Sequence, residues 1–130
     1  MKKFLFLALL AVIATGTFHY VKAQKTSLTI RFTNSTLTLV NNAGACCYRA
    51  VFIQNGVEHS YLFPSSGSTS FGAVLAPGTY TLGVAPIGGS SATHSFSYSS
   101  GPDYGSQTGT SATFNNVTVY SGGSVTVSIN

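Results

Sequence analysis

Charge is what this chain has least of. Of its 130 residues, six are Lys or Arg and two are Asp or Glu. The two carboxylates, Glu58 and Asp103, are too few for a calcium cage, which takes about six to eight oxygens. As a glycosidase pair they would be the only choice the chain has, and on a hairpin and a loop they read as solvated charges. No Gly-x-Ser-x-Gly elbow occurs, so serine hydrolysis has no nucleophile site. Cysteine is limited to Cys46 and Cys47, which together with His59 or His94 lack the spacing of zinc ligands. Neither a cofactor, a metal nor an enzyme activity is expected. An apolar pattern at helical spacing is also missing, which excludes a helical core.

The longest apolar run, Phe4 to Ala14, is eleven residues, short of the roughly twenty that cross a bilayer as a helix. Lys2 and Lys3 precede it and Val21-Lys22-Ala23 follows, the layout of a signal peptide with a helical apolar core. Residues 1–23 are therefore read as a leader cut after Ala23, with a cut nearer Ala14 or Gly16 as the alternative, and residues 24–130 as one exported domain, extracellular or periplasmic, with no membrane anchor after cleavage. Cleavage removes Lys2, Lys3 and Lys22; Lys25, Arg31 and Arg49 against Glu58 and Asp103 then leave a formal charge of +1. Three scattered cations give no nucleic-acid footprint.

Within the exported part, apolar residues recur with period two. Leu28, Ile30 and Phe32 alternate with Thr29, Arg31 and Thr33; Leu37 and Leu39 follow as a short strand, and Tyr48 to Ile53 is apolar on both faces except for Arg49. Asn55-Gly56 is the strongest short-range hairpin signal, returning through Val57 to Phe63. Thr69 to Leu75 leads through Pro77-Gly78, a turn with Gly at positive φ, into Thr79 to Ala85. His94, Phe96 and Tyr98 alternate with serines. Ser99 to Gly109 is a Gly/Ser excursion, and Ala112 to Phe114, Val117 to Tyr120 and Val125 to Ile129 complete the set. Seven to nine short strands separated by turn signals predict an all-β fold, a small antiparallel β-sandwich. The expected inward set is Leu28, Ile30, Phe32, Val51, Ile53, Phe71, Tyr80, Leu82, Val84, Phe114, Val117, Val119, Val125, Val127 and Ile129.

Leu75-Ala76-Pro77-Gly78-Thr79-Tyr80-Thr81-Leu82, with Phe114 to Val119 and Ser121-Gly122-Gly123-Ser124-Val125-Thr126-Val127 downstream, resembles the prealbumin-like, Ig-like sandwiches. These include the carboxypeptidase regulatory-like, PEGA and Cna-B modules of bacterial secreted proteins. The likeness spans about half of the exported domain. It implies a non-enzymatic stalk, spacer, adhesion or binding unit. The Lys–Asn crosslink of some Cna-B domains does not carry over, because Lys25, the one lysine left after cleavage, lies outside the first strand.

Three candidate sites follow. The segment 87–109 has the Tyr/Ser/Gly composition of adaptable binding loops, and Tyr98, Asp103 and Tyr104 are its candidate contacts to an extracellular glycan or protein. Cys46 and Cys47 leave three states open: an intermolecular disulfide, a disulfide to each other, or one buried and one exposed thiol. Val125, Val127 and Ile129 lie on a strand without charge and are candidates for edge-strand assembly. The expected function is a secreted, non-catalytic binding or adhesion module; the alternative is a structural subunit that self-associates by edge pairing into an oligomer or filament.

Overall fold

Alternation of large apolar and hydroxyl side chains sorts each strand into an inner and an outer face. The computed structural model describes residues 31–89 and 92–130. Among these no helix occurs, and nine strands form. They are β1 (Ser35–Asn41), β2 (Tyr48–Gln54), β3 (Val57–Leu62), β4 (Gly67–Leu75), β5 (Gly78–Pro86), β6 (His94–Ser100), β7 (Asp103–Gly109), β8 (Ala112–Val119) and β9 (Ser124–Ile129). A five-stranded sheet in the order β4-β1-β9-β6-β7 stacks on a four-stranded sheet in the order β3-β2-β5-β8. The β1–β9 pair is parallel and the others are antiparallel. The fold is the expected all-β sandwich; the leader 1–23 and residues Leu28 and Ile30 lie outside the described residues.

Leu37, Leu39, Phe96, Val125, Val127 and Ile129 fill the space between the sheets from one side. Tyr48, Ala50, Phe52, Tyr80, Leu82, Val84 and Val117 fill it from the other. Phe52 is the hub of one end, with the rings of Tyr61 and Tyr80 edge-on at 6.2 and 5.9 Å. Among the described residues three polar side chains are buried with this core, Ser35, Asn41 and Ser100. Asn41 donates to the carbonyls of Ala45 and Pro64 and accepts from the Ala45 amide, so one side chain pins two loops. Ser35 donates to the Tyr120 carbonyl and Ser100 to the Thr118 carbonyl. Satisfied in this way, their burial costs little.

Two turns behave as their residues require. Asn55 and Gly56 both take positive φ, 50° and 76°, the pair of values a two-residue type I′ hairpin needs. Gly78 has φ 150°, and a Cβ there would stand 2.1 Å from the Gln54 amide nitrogen, so close approach as much as backbone shape calls for glycine. The Tyr80 hydroxyl reaches back 2.7 Å to the Ala76 carbonyl and ties the turn to the strand it starts.

Several sequence expectations need correction. Val51 and Ile53 are half-buried and point outward; Tyr48, Ala50 and Phe52 hold the inner face of β2. Phe32 is 75% exposed in a non-strand segment, so the strand over 28–33 does not extend across Arg31–Thr33, and the first described strand starts at Ser35 instead. Phe71 packs at the margin of the core, half-buried. The segment expected as an excursion, Ser99 to Gly109, is largely strand β7, paired along its length with β6. Ala112 to Val119 is one strand with an irregularity against β5, where Asn116 takes φ 60°.

Candidate functional site

Tyr98, Asp103 and Tyr104 are brought close together by the β6–β7 hairpin, but they face different ways. Tyr98 is 7% exposed and packs its ring 4.9 Å from Phe114 inside the sandwich. Gly105, its partner across the hairpin, makes room: a Cβ there would stand 2.7 Å from the Tyr98 ring. The Tyr98 hydroxyl donates to Asp103 Oδ1 at 2.8 Å, and the Thr118 amide donates to Asp103 Oδ2 at 2.7 Å. Burial first, and then the adjoining Asp103 carboxylate, push the Tyr98 hydroxyl up to about 12. Both oxygens of Asp103 are thus engaged by the fold itself, joining β7 to β8 across the gap between the sheets. Farther along, Gln107 donates through Nε2 to the Thr113 carbonyl at 2.6 Å and accepts from the Thr113 amide at 3.1 Å, so its side chain imitates a strand partner for β8.

Tyr104 is the member of the trio that faces solvent, 80% exposed. It ends a row. Ser70 pairs with Thr38, Thr38 with Thr126, Thr126 with Ser99 and Ser99 with Tyr104, so one line of outward side chains crosses all five strands. Directly paired residues share a face of a sheet, and the Thr38 and Ser70 hydroxyls are 3.0 Å apart. A second line, Ser68, Val40, Ser128, Ser97 and Ser106, runs beside it. Thr36 and Ser124 begin a third, while Ser95 and Thr108 belong to a fourth. Strand spacing sets these hydroxyls about 4.8 Å apart across the sheet and about 6.7 Å apart along each strand. Neither line carries a charge. Each hydroxyl can both donate and accept, and the right-handed twist of a sheet winds the rows along its surface.

The sequence reading missed the hydroxyl rows. A signal for them existed: Ser95, Ser97 and Ser99, Ser124, Thr126 and Ser128, and Thr36 and Thr38 each occupy one phase of a period-two strand. Only the strand order reveals that these phases share a face.

Val125, Val127 and Ile129 do not form an edge. β9 lies between β1 and β6, its backbone paired on both sides and these three side chains buried, so edge assembly through them is excluded. Cys46 and Cys47 are joined to each other by a disulfide, both exposed in the β1–β2 loop, and the Cys47 carbonyl accepts from the Ile87 amide at 2.7 Å. Among the described residues no group of three or more His, Cys, Asp or Glu side chains is placed to hold a metal.

The chain is of the class of two-sheet β-sandwiches, with an uncharged, hydroxyl-lined outer face on its five-stranded sheet. Comparison of the chain with protein-family models, with curated proteins and with solved structures gave no match.

Proposed function

We propose that this protein is an exported, non-catalytic β-sandwich of prealbumin-like kind that binds an extracellular glycan on the outer face of its five-stranded sheet. The observation that carries this reading is Tyr104, 80% exposed at the end of an uncharged row of hydroxyls. A tyrosine ring offers a large apolar surface with a polar tip, held by only two rotatable angles, and suits stacking on the apolar face of a sugar ring. The hydroxyl rows add paired donors and acceptors for sugar hydroxyls. Absence of charge favours a neutral polysaccharide over a sulfated or uronic one, and a twisted surface favours a single chain over a flat crystalline one. Tyr98 and Asp103 act in this reading as supports that hold β7, and with it Tyr104, in place.

A glycan array with wild type, Tyr104→Ala and Thr126→Lys tests it. Binding of neutral glycans by the wild type, lost in both variants while their thermal melts are unchanged, supports the reading. Equal binding by all three, or no binding to any glycan, refutes it.

A further inference from the structure

The opposite outer face shares some hydroxyls, Ser60, Thr81 and Thr113 among them, but adds larger apolar side chains and two charges. On the four-stranded sheet, Val51 and Ile53 of β2 look outward, Val51 between Ser60 and Gly83 and Ile53 between Glu58 and Thr81, while Leu62, 62% exposed, and Ala85 flank Arg49 one row away. Val51, Ile53, Leu62 and Ala85 thus form an apolar strip interrupted by Ser60 and Thr81, and it carries one cation and one anion, at opposite ends. Arg49 pairs with Leu62 and Ala85, whereas Glu58 pairs with Ile53, four residues farther along β2. That separation is about 13 Å along a strand, beyond the Debye length of about 8 Å at physiological salt, so the two charges leave each other largely uncompensated.

We propose that this strip is the contact surface for a second copy of the chain, stacked face to face about a two-fold axis that runs across the strands. Such an operator reverses strand direction, so the partner's Arg49 comes to the Glu58 end and the partner's Glu58 to the Arg49 end. The two contacts are identical, as a closed isologous interface requires. A two-fold axis along the strands would instead bring Arg49 to Arg49 and Glu58 to Glu58, so the charge pattern selects between the two arrangements. Four strands about 4.8 Å apart and six residues long give a footprint of about 400 Å². Counting both copies and their side-chain relief, the buried area comes near the lower bound of about 1,000 Å² for specific pairing, which makes the dimer a weak one. The hydroxyl faces end up on the outside, pointing in opposite directions. This inference stands independently of the glycan reading.

Sedimentation velocity of the purified protein from low to high micromolar concentration tests it. The wild type is expected to shift from monomer to dimer, and Val51→Lys to stay monomeric. Arg49→Glu and Glu58→Arg each place like charges at both contacts and are expected to weaken pairing about tenfold. Mixed together, those two variants restore opposite charges at both contacts and are expected to form a heterodimer as tight as the wild-type dimer. Arg49 and Glu58 are exposed, so these two variants keep the test intact even where Val51→Lys fails to fold. A wild type that is monomeric at every concentration, a dimer indifferent to all three substitutions, or a mixture no tighter than its separate components overturns the proposal.

Discussion

Replacing Asp103 separates a ligand-binding carboxylate from a structural one. Its Oδ1 accepts from the Tyr98 hydroxyl at 2.8 Å and its Oδ2 from the Thr118 amide at 2.7 Å, and Tyr98 is 7% exposed. Hydrogen bonds to a charged group contribute about 1.5–3 kcal/mol each, and a buried donor left unpaired costs about 1–3 kcal/mol. Asp103 itself is half-buried, so water can replace part of what is lost. Asp103→Ala is therefore expected to destabilise the fold by about 2–4 kcal/mol. Asp103→Asn keeps one acceptor but turns an NH2 group toward the second donor, and about 1–2 kcal/mol is expected. Tyr98→Phe removes the hydroxyl and its bond together, for about 1–1.5 kcal/mol. Urea unfolding of the single variants and of the Tyr98→Phe, Asp103→Ala double variant gives the coupling directly. A coupling of about 1–2 kcal/mol is expected, with glycan affinity of the folded Asp103→Ala protein lowered far less than by Tyr104→Ala. Stability within about 0.5 kcal/mol of wild type in Asp103→Ala would refute the structural role.

Other consequences are open to measurement. Phe52→Ala empties the hub of the aromatic cluster and is expected to cost about 3–5 kcal/mol in urea unfolding, whereas Val51→Thr, on the outer face, stays within about 1 kcal/mol; the reverse order would mean that β2 is turned over. Tyr98 titrates near 10 in an unfolded chain and is pushed up to about 12 in the fold. Between those values the unfolded chain binds fewer protons than the folded one, so this stabilisation is complete below pH 10 and is lost as pH rises toward 12. Unfolding midpoints followed across that window should fall for wild type and fall less steeply for Tyr98→Phe. Gly105→Ala drives a methyl into the Tyr98 ring, 2.7 Å away, and a loss of about 1–3 kcal/mol is expected from thermal melts.

What local pattern can specify here, it does specify. β9 alternates an apolar with a hydroxyl phase, β5 sets Tyr80, Leu82 and Val84 against Thr79, Thr81 and the small Gly83 and Ala85, and β8 alternates on either side of Asn115-Asn116. Their inner faces therefore follow from Tyr80, Leu82, Val84, Val117, Val119, Val125, Val127 and Ile129. Asn55-Gly56 makes its own turn. β2 was ambiguous because both phases of Tyr48-Arg49-Ala50-Val51-Phe52-Ile53 contain large apolar residues, and packing of Phe52 between Tyr61 and Tyr80 settles the direction. β7 was illegible because Asp103-Tyr104-Gly105-Ser106-Gln107-Thr108-Gly109 has little intrinsic strand preference. Its glycine at 105 answers to Tyr98, its Asp103 to Thr118 and its Gln107 to Thr113, all through the tertiary structure. The middle position of β9 is likewise a fact of strand order: β9 carries no charge, as an unprotected edge would, but its freedom from charge reflects pairing on both sides. In the candidate site, Tyr104 could be named from composition alone, whereas the hydroxyl rows that adjoin it require knowing which strands are neighbours.

The central claim is that the uncharged hydroxyl face of the five-stranded sheet, and not the outer face of the four-stranded one, meets the ligand. Backbone amide shifts followed by NMR during titration with neutral oligosaccharides test this most directly. The account predicts perturbations confined to residues 36–40, 68–70, 95–99, 104–108 and 124–128. Shifts centred on Val51, Ile53 and Leu62, or a spectrum unmoved by every neutral glycan, would contradict it.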